Sequence, residues 1–286
     1  MIKNPLSCLV LIIATIIGGI EPGFADEMSK KKPLWELGLF NSAMTFPHYR
    51  GSDEQMYYVL AIPYFVYRGE VFKADRDGLK GIFYKTDKFE TSVSLSGYPP
   101  VNGDTEARAG MPDLGALFGA GPELRFYVND RKASNPVYLS TSVHGVSSMD
   151  YDSGLRIAYE GLEYRAHLIY RNTTLIGRKG SFFGINAGVY YADSGLNSYF
   201  YDVEPEYVRP GRPFYRSERG HSGHSVHSYL IYKLTDVFSL GFFGRWDNVA
   251  HAVYSDSPLV KQKDTYIGGI SLIWKIAESR KMVEAE

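Results

Sequence analysis

Hydrophobic and polar residues alternate with a period of two along much of the chain. In "FETSVSLSG" (89–97), Phe89, Thr91, Val93 and Leu95 share one face, while Glu90, Ser92, Ser94 and Ser96 share the other. Successive side chains of a strand point to opposite faces, so this stretch predicts a strand with one apolar and one polar side. "ALFGAGPELRFYV" (116–128) sets Ala116, Phe118, Ala120, Leu124, Phe126 and Val128 against Gly119, Gly121, Glu123, Arg125 and Tyr127. "TYIGGISLIWKI" (265–276) gathers Tyr266, Ile270, Leu272, Trp274 and Ile276 on one side. Each stretch has about ten residues or a little more, the length of a tilted strand crossing a bilayer. The same reading gives about twelve strands, within a range of about ten to fourteen. They are expected near 34–46, 57–67, 70–76, 79–85, 89–97, 116–128, 136–147, 154–170, 182–192, 224–234, 237–247 and 265–276.

The connections alternate in length. Short ones fall near 68, 86, 129–135 and 235–236, and long ones at 47–56, 98–115, 193–223 and 248–264. Short turns at one end and long loops at the other are the signature of a bacterial membrane barrel. An even strand number returns both chain ends to the periplasmic side. Pro122 cannot donate to a ladder, so a bulge is expected beside Gly121. The 154–170 segment changes parity near Gly161, which calls for a bulge or a turn. The connection at 76–78 is much shorter than the other outer loops. With no repeat or linker in view, 26–286 is expected to be one domain ending in a short periplasmic tail, 277–286.

Residues 1–25 have a different character. Lys3 precedes the apolar run "LVLIIATIIGGI" (9–20), and "PGFA" closes with a small residue at Ala25. That order describes a secretory signal peptide, cleaved near Ala25–Asp26. The single cysteine, Cys8, would leave with it, removing disulfide, thiolate and cysteine–metal chemistry from the mature chain. The formal net charge of −1 gives no basic excess for nucleic acid. The 23 Tyr, 16 Phe and 29 Gly suit a barrel whose aromatics girdle the two membrane interfaces. No stretch after residue 26 approaches a spanning helix. A soluble barrel or sandwich would also alternate, but its second face would fill a dry core. Here that face carries Glu90, Glu123 and Arg125, which a polar lumen accepts and a dry core resists. The fold class expected is all-β: a single transmembrane antiparallel β-barrel in the outer membrane, surrounded by its lipid.

Candidate chemistry is sparse. "GHSGHSVHS" (220–228) holds three histidines and three serines. In a strand beginning at 224, His224 and His227 point to opposite sides and His221 stays in the loop, so the three do not converge as a metal requires. A nucleophilic Ser222 needs a base and an oxyanion donor in reach, which adjacency to His221 does not establish. "YRGSDE" (49–54) and "ADRDG" (74–78) lack the ligand spacing of a calcium loop and read as turns. Loop 202–219, with three prolines and four arginines, reads as a stiff exposed loop, or as a constriction or partner surface. No catalytic, metal or cofactor site is expected, and the chain is not expected to be an enzyme.

Three blocks resemble the MipA/OmpV outer-membrane family. "WELGLFNSAMTFPHYRGSDE" (35–54) carries its Pro47, Tyr49, Gly51, Ser52 and Asp53. "AIPYFVYRGEVFKADRDGLKG" (61–81) carries Pro63, Tyr64, Arg76 and Gly78. "YSDSPLV" (254–260) carries Ser257, Pro258, Leu259 and Val260. The resemblance implies an outer-membrane barrel without cofactor or catalytic residues. It also implies, for the namesake branch, a scaffold between a membrane-bound lytic transglycosylase and a bifunctional penicillin-binding protein. The chain departs from a common barrel ending: "AESRKMVEAE" (277–286) follows Trp274 and Ile276, where such chains often stop on an aromatic residue. Three function classes remain in order: scaffold, small porin-like channel whose lumen Glu123 and Arg125 line or plug, and a hydrolase at Ser222 with His221 or His224.

Overall fold

A computed structural model describes residues 31–68, 72–75, 78–81, 84–101, 105–150, 155–174 and 177–284. The expected signal peptide 1–25, its expected cleavage point and Arg76 lie outside the described residues. In chain order the strands are β1 (Lys31–Pro33), β2 (Trp35–Pro47), β3 (Gln55–Arg68), β4 (Phe72–Asp75), β5 (Gly78–Gly81), β6 (Tyr84–Lys85), β7 (Phe89–Tyr98) and β8 (Ala116–Tyr127). They continue as β9 (Val137–Asp150), β10 (Arg156–Asn172), β11 (Phe182–Ala192), β12 (Gly220–Lys233), β13 (Phe238–Asn248), β14 (Asp264–Glu278) and β15 (Met282–Glu284). Among the described residues one α-helix, α1 (Ser194–Tyr201), lies between β11 and β12.

Thirteen strands form one antiparallel sheet in the order β5-β4-β3-β2-β14-β13-β12-β11-β10-β9-β8-β7-β6. β5 also lies against β7, so the two margins of the sheet meet and the sheet closes. The protein is an antiparallel β-barrel. Its outward residues are the apolar rows expected from the alternation: Phe89, Leu124, Phe126, Tyr266, Ile270, Leu272, Trp274 and Ile276 are all exposed. Glu90, Glu123 and Arg125 are buried on the inner side. A continuous apolar exterior around a polar interior is stable only where the solvent outside is hydrocarbon. No helix among the described residues is long and apolar enough to cross a membrane.

The interior has two unlike walls. Phe40, Met44, Phe46, Ile62, Phe182, Tyr229, Ile231, Phe243 and Ile273, from β2, β3 and β11–β14, form one apolar cluster. The wall of β7–β10 instead buries Glu90, Ser92, Glu123, Arg125, Ser140, His144 and Glu163. These polar groups satisfy one another. Arg125 Nε donates to Glu123 at 3.1 Å, Ser140 Oγ donates to the same carboxylate at 2.5 Å, and Arg131 reaches Glu90 at 3.5 Å.

Four details correct the sequence expectations. The 79–85 segment is two strands, β5 pairing with β4 and β6 with β7. Pro122 makes no bulge: β8 keeps one register with β9 on both sides of residues 121–122, and Val93 of β7 faces Pro122. The missing donor is absorbed by omitting a stretch of ladder, which costs a hydrogen bond and shifts no residue. β12 begins at Gly220, four residues before the expected start, because a bulge at Ser222–Gly223 opposite Tyr190 extends the pairing to Ala192. Gly223 adopts φ +105°, a left-handed geometry suited to glycine. The segment expected to trail as a tail folds back, and β15 pairs with β1.

The expected parity change in 154–170 is a bulge at Gly161. A side chain there would meet the carboxylate of Asp193, the N-cap of α1. Asp193 accepts from Leu196 N at 3.0 Å and from Leu162 N at 2.8 Å. One carboxylate therefore caps the helix and holds it to the bulged strand.

Candidate functional site

The described residues of the long connections 48–54, 99–115, 193–219 and 249–263 gather at one end of the barrel. Their apolar residues Tyr49, Val101, Ala107, Met111, Leu114, Tyr201, Val203, Val249, Ala252, Tyr254 and Leu259 pack into a single buried cluster. At its centre Tyr201 and Tyr254 stack with ring centroids 3.6 Å apart. Tyr254 Oη donates to the carbonyl of Ser222 at 2.7 Å and Tyr201 Oη to that of Arg50 at 2.9 Å. Burial raises the Tyr201 phenol well above its ordinary value. Burial also pushes Tyr254 up to about 12, with Arg50 opposing. Both stay protonated donors across the physiological range.

The first and last resemblance blocks meet in this cap. Tyr49 Oη donates to Leu259 O at 2.9 Å, and Gly51 O accepts from Lys261 N at 2.8 Å and Gln262 N at 3.1 Å. Gly51 has φ +92°, and Val260 Cγ1 lies 3.0 Å from where a Cβ would stand. Ser257 Oγ donates to Tyr201 O at 2.7 Å, and Ser52 and Leu259 are fully enclosed. Pro47 ends β2 beneath the cap, Asp53 is exposed beside it, and Pro258 adjoins Ser257 in the opposing loop. The middle block lies elsewhere: Pro63 faces Leu39 on the wall, Tyr64 packs on the apolar cluster, and Gly78 pairs with Asp75. Loop 202–219 is partly exposed and also part of the closure. Arg212 Nη1 donates to the carbonyls of Ala107 at 3.1 Å and Ala109 at 3.0 Å.

Below the cap an ionic belt crosses the lumen. Arg50 descends from the first loop to within 3.4 Å of Asp247, which also accepts from Arg245 at 2.5 Å. Arg165 pairs closely with Glu163, which takes a 2.5 Å hydrogen bond from Tyr98 Oη. All three guanidiniums gather on the ring of Tyr190, at 3.8 Å for Arg50, 5.6 Å for Arg245 and 5.9 Å for Arg165. Cations over a π face are favourable, and the Asp247 and Glu163 carboxylates offset the repulsion among the three. The Tyr190 hydroxyl lies 3.2 Å from His167 Nε2 and 3.1 Å from Ser225 Oγ. Sequence reading reached Glu90, Glu123 and Arg125 but missed Arg50, Glu163, Arg165, Arg245 and Asp247. Alternation along β10 and β13 carries the signal for the four strand residues, whereas Arg50 lies in a loop.

The histidines are separated by the wall. His221 and His224, brought to the same side by the bulge, have ring centroids 6.2 Å apart, and His224 packs on Trp246 at 5.4 Å. His227 points inward to Asn186 at 3.2 Å, opposite to His224 as expected. His221, expected in the loop, belongs to β12. Ser222 Oγ donates to Asn197 Oδ1 at 3.0 Å, while His221 Nδ1 lies 3.0 Å from the carbonyl of His251. Ser222 is thus engaged with an amide instead of a base. A serine–histidine contact does occur at His144, whose ring nitrogens lie 2.6 Å from Ser94 Oγ and 3.0 Å from Ser96 Oγ. Both nitrogens are taken by hydroxyls, which leaves neither for a carboxylate to orient. Among the described residues no three His, Cys, Asp or Glu side chains are grouped to hold a metal.

A family model described as MltA-interacting protein MipA matches residues 37–276, from β2 through β14. The chain belongs to the MipA family. No curated protein matches it in sequence. Among solved structures it is similar to the CymD monoaromatic hydrocarbon channel, with 10% identity, coverage of 91% of this chain and 95% of that one, and a TM-score of 0.35. It is also similar to the toluene transporter TbuX of Ralstonia pickettii, at 9% identity over 92% of this chain and 74% of that one, TM-score 0.30. A FadL homologue from Pseudomonas aeruginosa gives 9% identity over 93% and 98%, TM-score 0.29.

Proposed function

We propose that this MipA-family barrel is a non-enzymatic interaction protein of the outer membrane, exported by a signal peptide cleaved near Ala25–Asp26. Its partners in this reading are a lytic transglycosylase, in keeping with a family described by MltA interaction, and a bifunctional penicillin-binding protein. The observation that carries the reading is the closed loop end. Eleven apolar side chains seal it, and the Arg50–Asp247–Arg245 contacts lie beneath. A solute crossing the lumen would have to dismantle both, which favours binding at the ends over conduction through the middle. The periplasmic end offers short turns and the β1–β15 ribbon as docking surfaces.

The test is capture of the tagged, detergent-extracted protein from crosslinked envelopes, with mass spectrometry of what comes with it. Recovery of a lytic transglycosylase together with a peptidoglycan synthase is the expected result. Recovery of the barrel alone, while a control complex survives, overturns it. A channel reading draws on the cavity of about 160 Å³ inside the lumen. A steady conductance of the wild-type protein in planar bilayers would favour that reading.

A further inference from the structure

The cavity lies where the two unlike walls meet beneath the cap. Phe46, Phe243 and Ile267 line its apolar side, while Arg50, Arg245 and His48 also face onto it. Arg50 makes one ion contact, to Asp247 at 3.4 Å, and its side chain keeps 13% of its surface open. Arg50 is thus the guanidinium that a ligand in the cavity can reach, and donors closed off from water are nearly always satisfied in folded proteins. The belt sets Arg50, Arg165 and Arg245 against Glu163 and Asp247, an excess of one positive charge among these five groups.

We propose that this cavity binds a small amphipathic carboxylic acid, its carboxylate against Arg50 and its apolar body against Phe46 and Phe243. A guanidinium holds a carboxylate by charge-assisted hydrogen bonds, which are stronger than neutral ones. The apolar wall disfavours inorganic anions, which offer it nothing to bury, and the positive excess disfavours amines. A cavity of about 160 Å³ matches one aromatic ring or a short acyl chain, since a dry cavity of about 150 Å³ holds one benzene.

The experiment uses the full mature chain in lipid nanodiscs, titrated calorimetrically with benzoate and hexanoate and, as controls, with benzamide and hexylamine. The acids are expected to bind one per chain, at least tenfold more tightly than benzamide, with no binding of hexylamine. Arg50→Gln should weaken benzoate at least tenfold, and Arg50→Lys should recover part of the loss, both variants retaining the heat-shifted electrophoretic mobility of a folded barrel. Equal affinity for benzoate and benzamide, binding of hexylamine, or no binding of any acid overturns the proposal, as does a folded Arg50→Gln protein that binds benzoate unchanged. The acid-against-amide comparison is made on the wild-type chain, so it stands even where a variant fails to fold. None of these results bears on partner capture.

Discussion

The two ends of the barrel use different physics. At the loop end, four distant segments bury eleven apolar residues in one cluster and add a stacked tyrosine pair, so closure rests on packing. At the other end the turns are short, and the three-residue strands β1 and β15 make a ribbon held by backbone bonds such as Leu34 N to Lys281 O at 2.8 Å. The lesson is that lumen charges and loop packing depend on each other. Arg50 occupies the belt because Tyr201 holds its carbonyl, and the belt stays covered because the loops stay packed.

The largest break in that comparison comes from the cap. Tyr254→Ala removes a fully buried ring stacked on Tyr201 and the hydrogen bond to Ser222. A loss of about 3–5 kcal/mol is expected, as for other buried aromatic truncations, measured by urea unfolding in lipid vesicles. The same variant should show flickering conductance in planar bilayers where the wild type is silent. An equally silent and stable variant would mean that packing does not close this end.

Asp247→Asn comes next. It leaves Arg50 and Arg245 without their shared carboxylate, and stranding buried charges costs about 3 kcal/mol. The double variant Asp247→Asn with Arg50→Gln should recover part of that loss, because one of the stranded charges is gone. A double variant no more stable than Asp247→Asn would show that the belt does not act as a charge network.

How far the sequence discloses this molecule follows the same division. The barrel wall is legible because its two faces meet opposite solvents, so alternation in 89–97, 116–128 and 265–276 places Glu90, Glu123 and Arg125 inward directly. The β12 bulge is less legible, since a single extra residue reverses parity between His221 and His224. Gly220 and Gly223, both with positive φ, are the local signal for it. The cap is illegible from local pattern: Tyr201 and Tyr254 are far apart in sequence, and loops show no periodicity to mark which aromatic turns inward. The resemblance blocks name Tyr49, Gly51 and Leu259 without their meeting, which the fold alone supplies. β1 and β15 are missed because three residues are too few to show an alternation, and each becomes a strand by pairing with the other.

A smaller test sharpens the account of the cap. Gly51→Ala places a side chain at φ +92° with Val260 Cγ1 3.0 Å from its Cβ. Left-handed geometry alone costs an ordinary residue about 1–2 kcal/mol, so a loss of that size is expected in the same urea titration. Val260→Ala in the Gly51→Ala background relieves the contact and leaves the backbone cost. The two contributions therefore separate.

The smallest effect is expected at the opposite end. Truncation after Arg280 removes β15 and with it the pairing of Lys31–Pro33 to Met282–Glu284, yet leaves all of β14 and its ladder to β2 in place. An isolated two-stranded ribbon adds little stability in water, so the unfolding midpoint should correspond to a change within about 0.5 kcal/mol, as for surface changes generally. A loss approaching that of Tyr254→Ala would erase the contrast between the ends, making the ribbon a second clamp on the barrel. An unchanged barrel that no longer captures the proposed envelope partners would instead give the ribbon a role in docking, separating what holds the fold from what the fold presents.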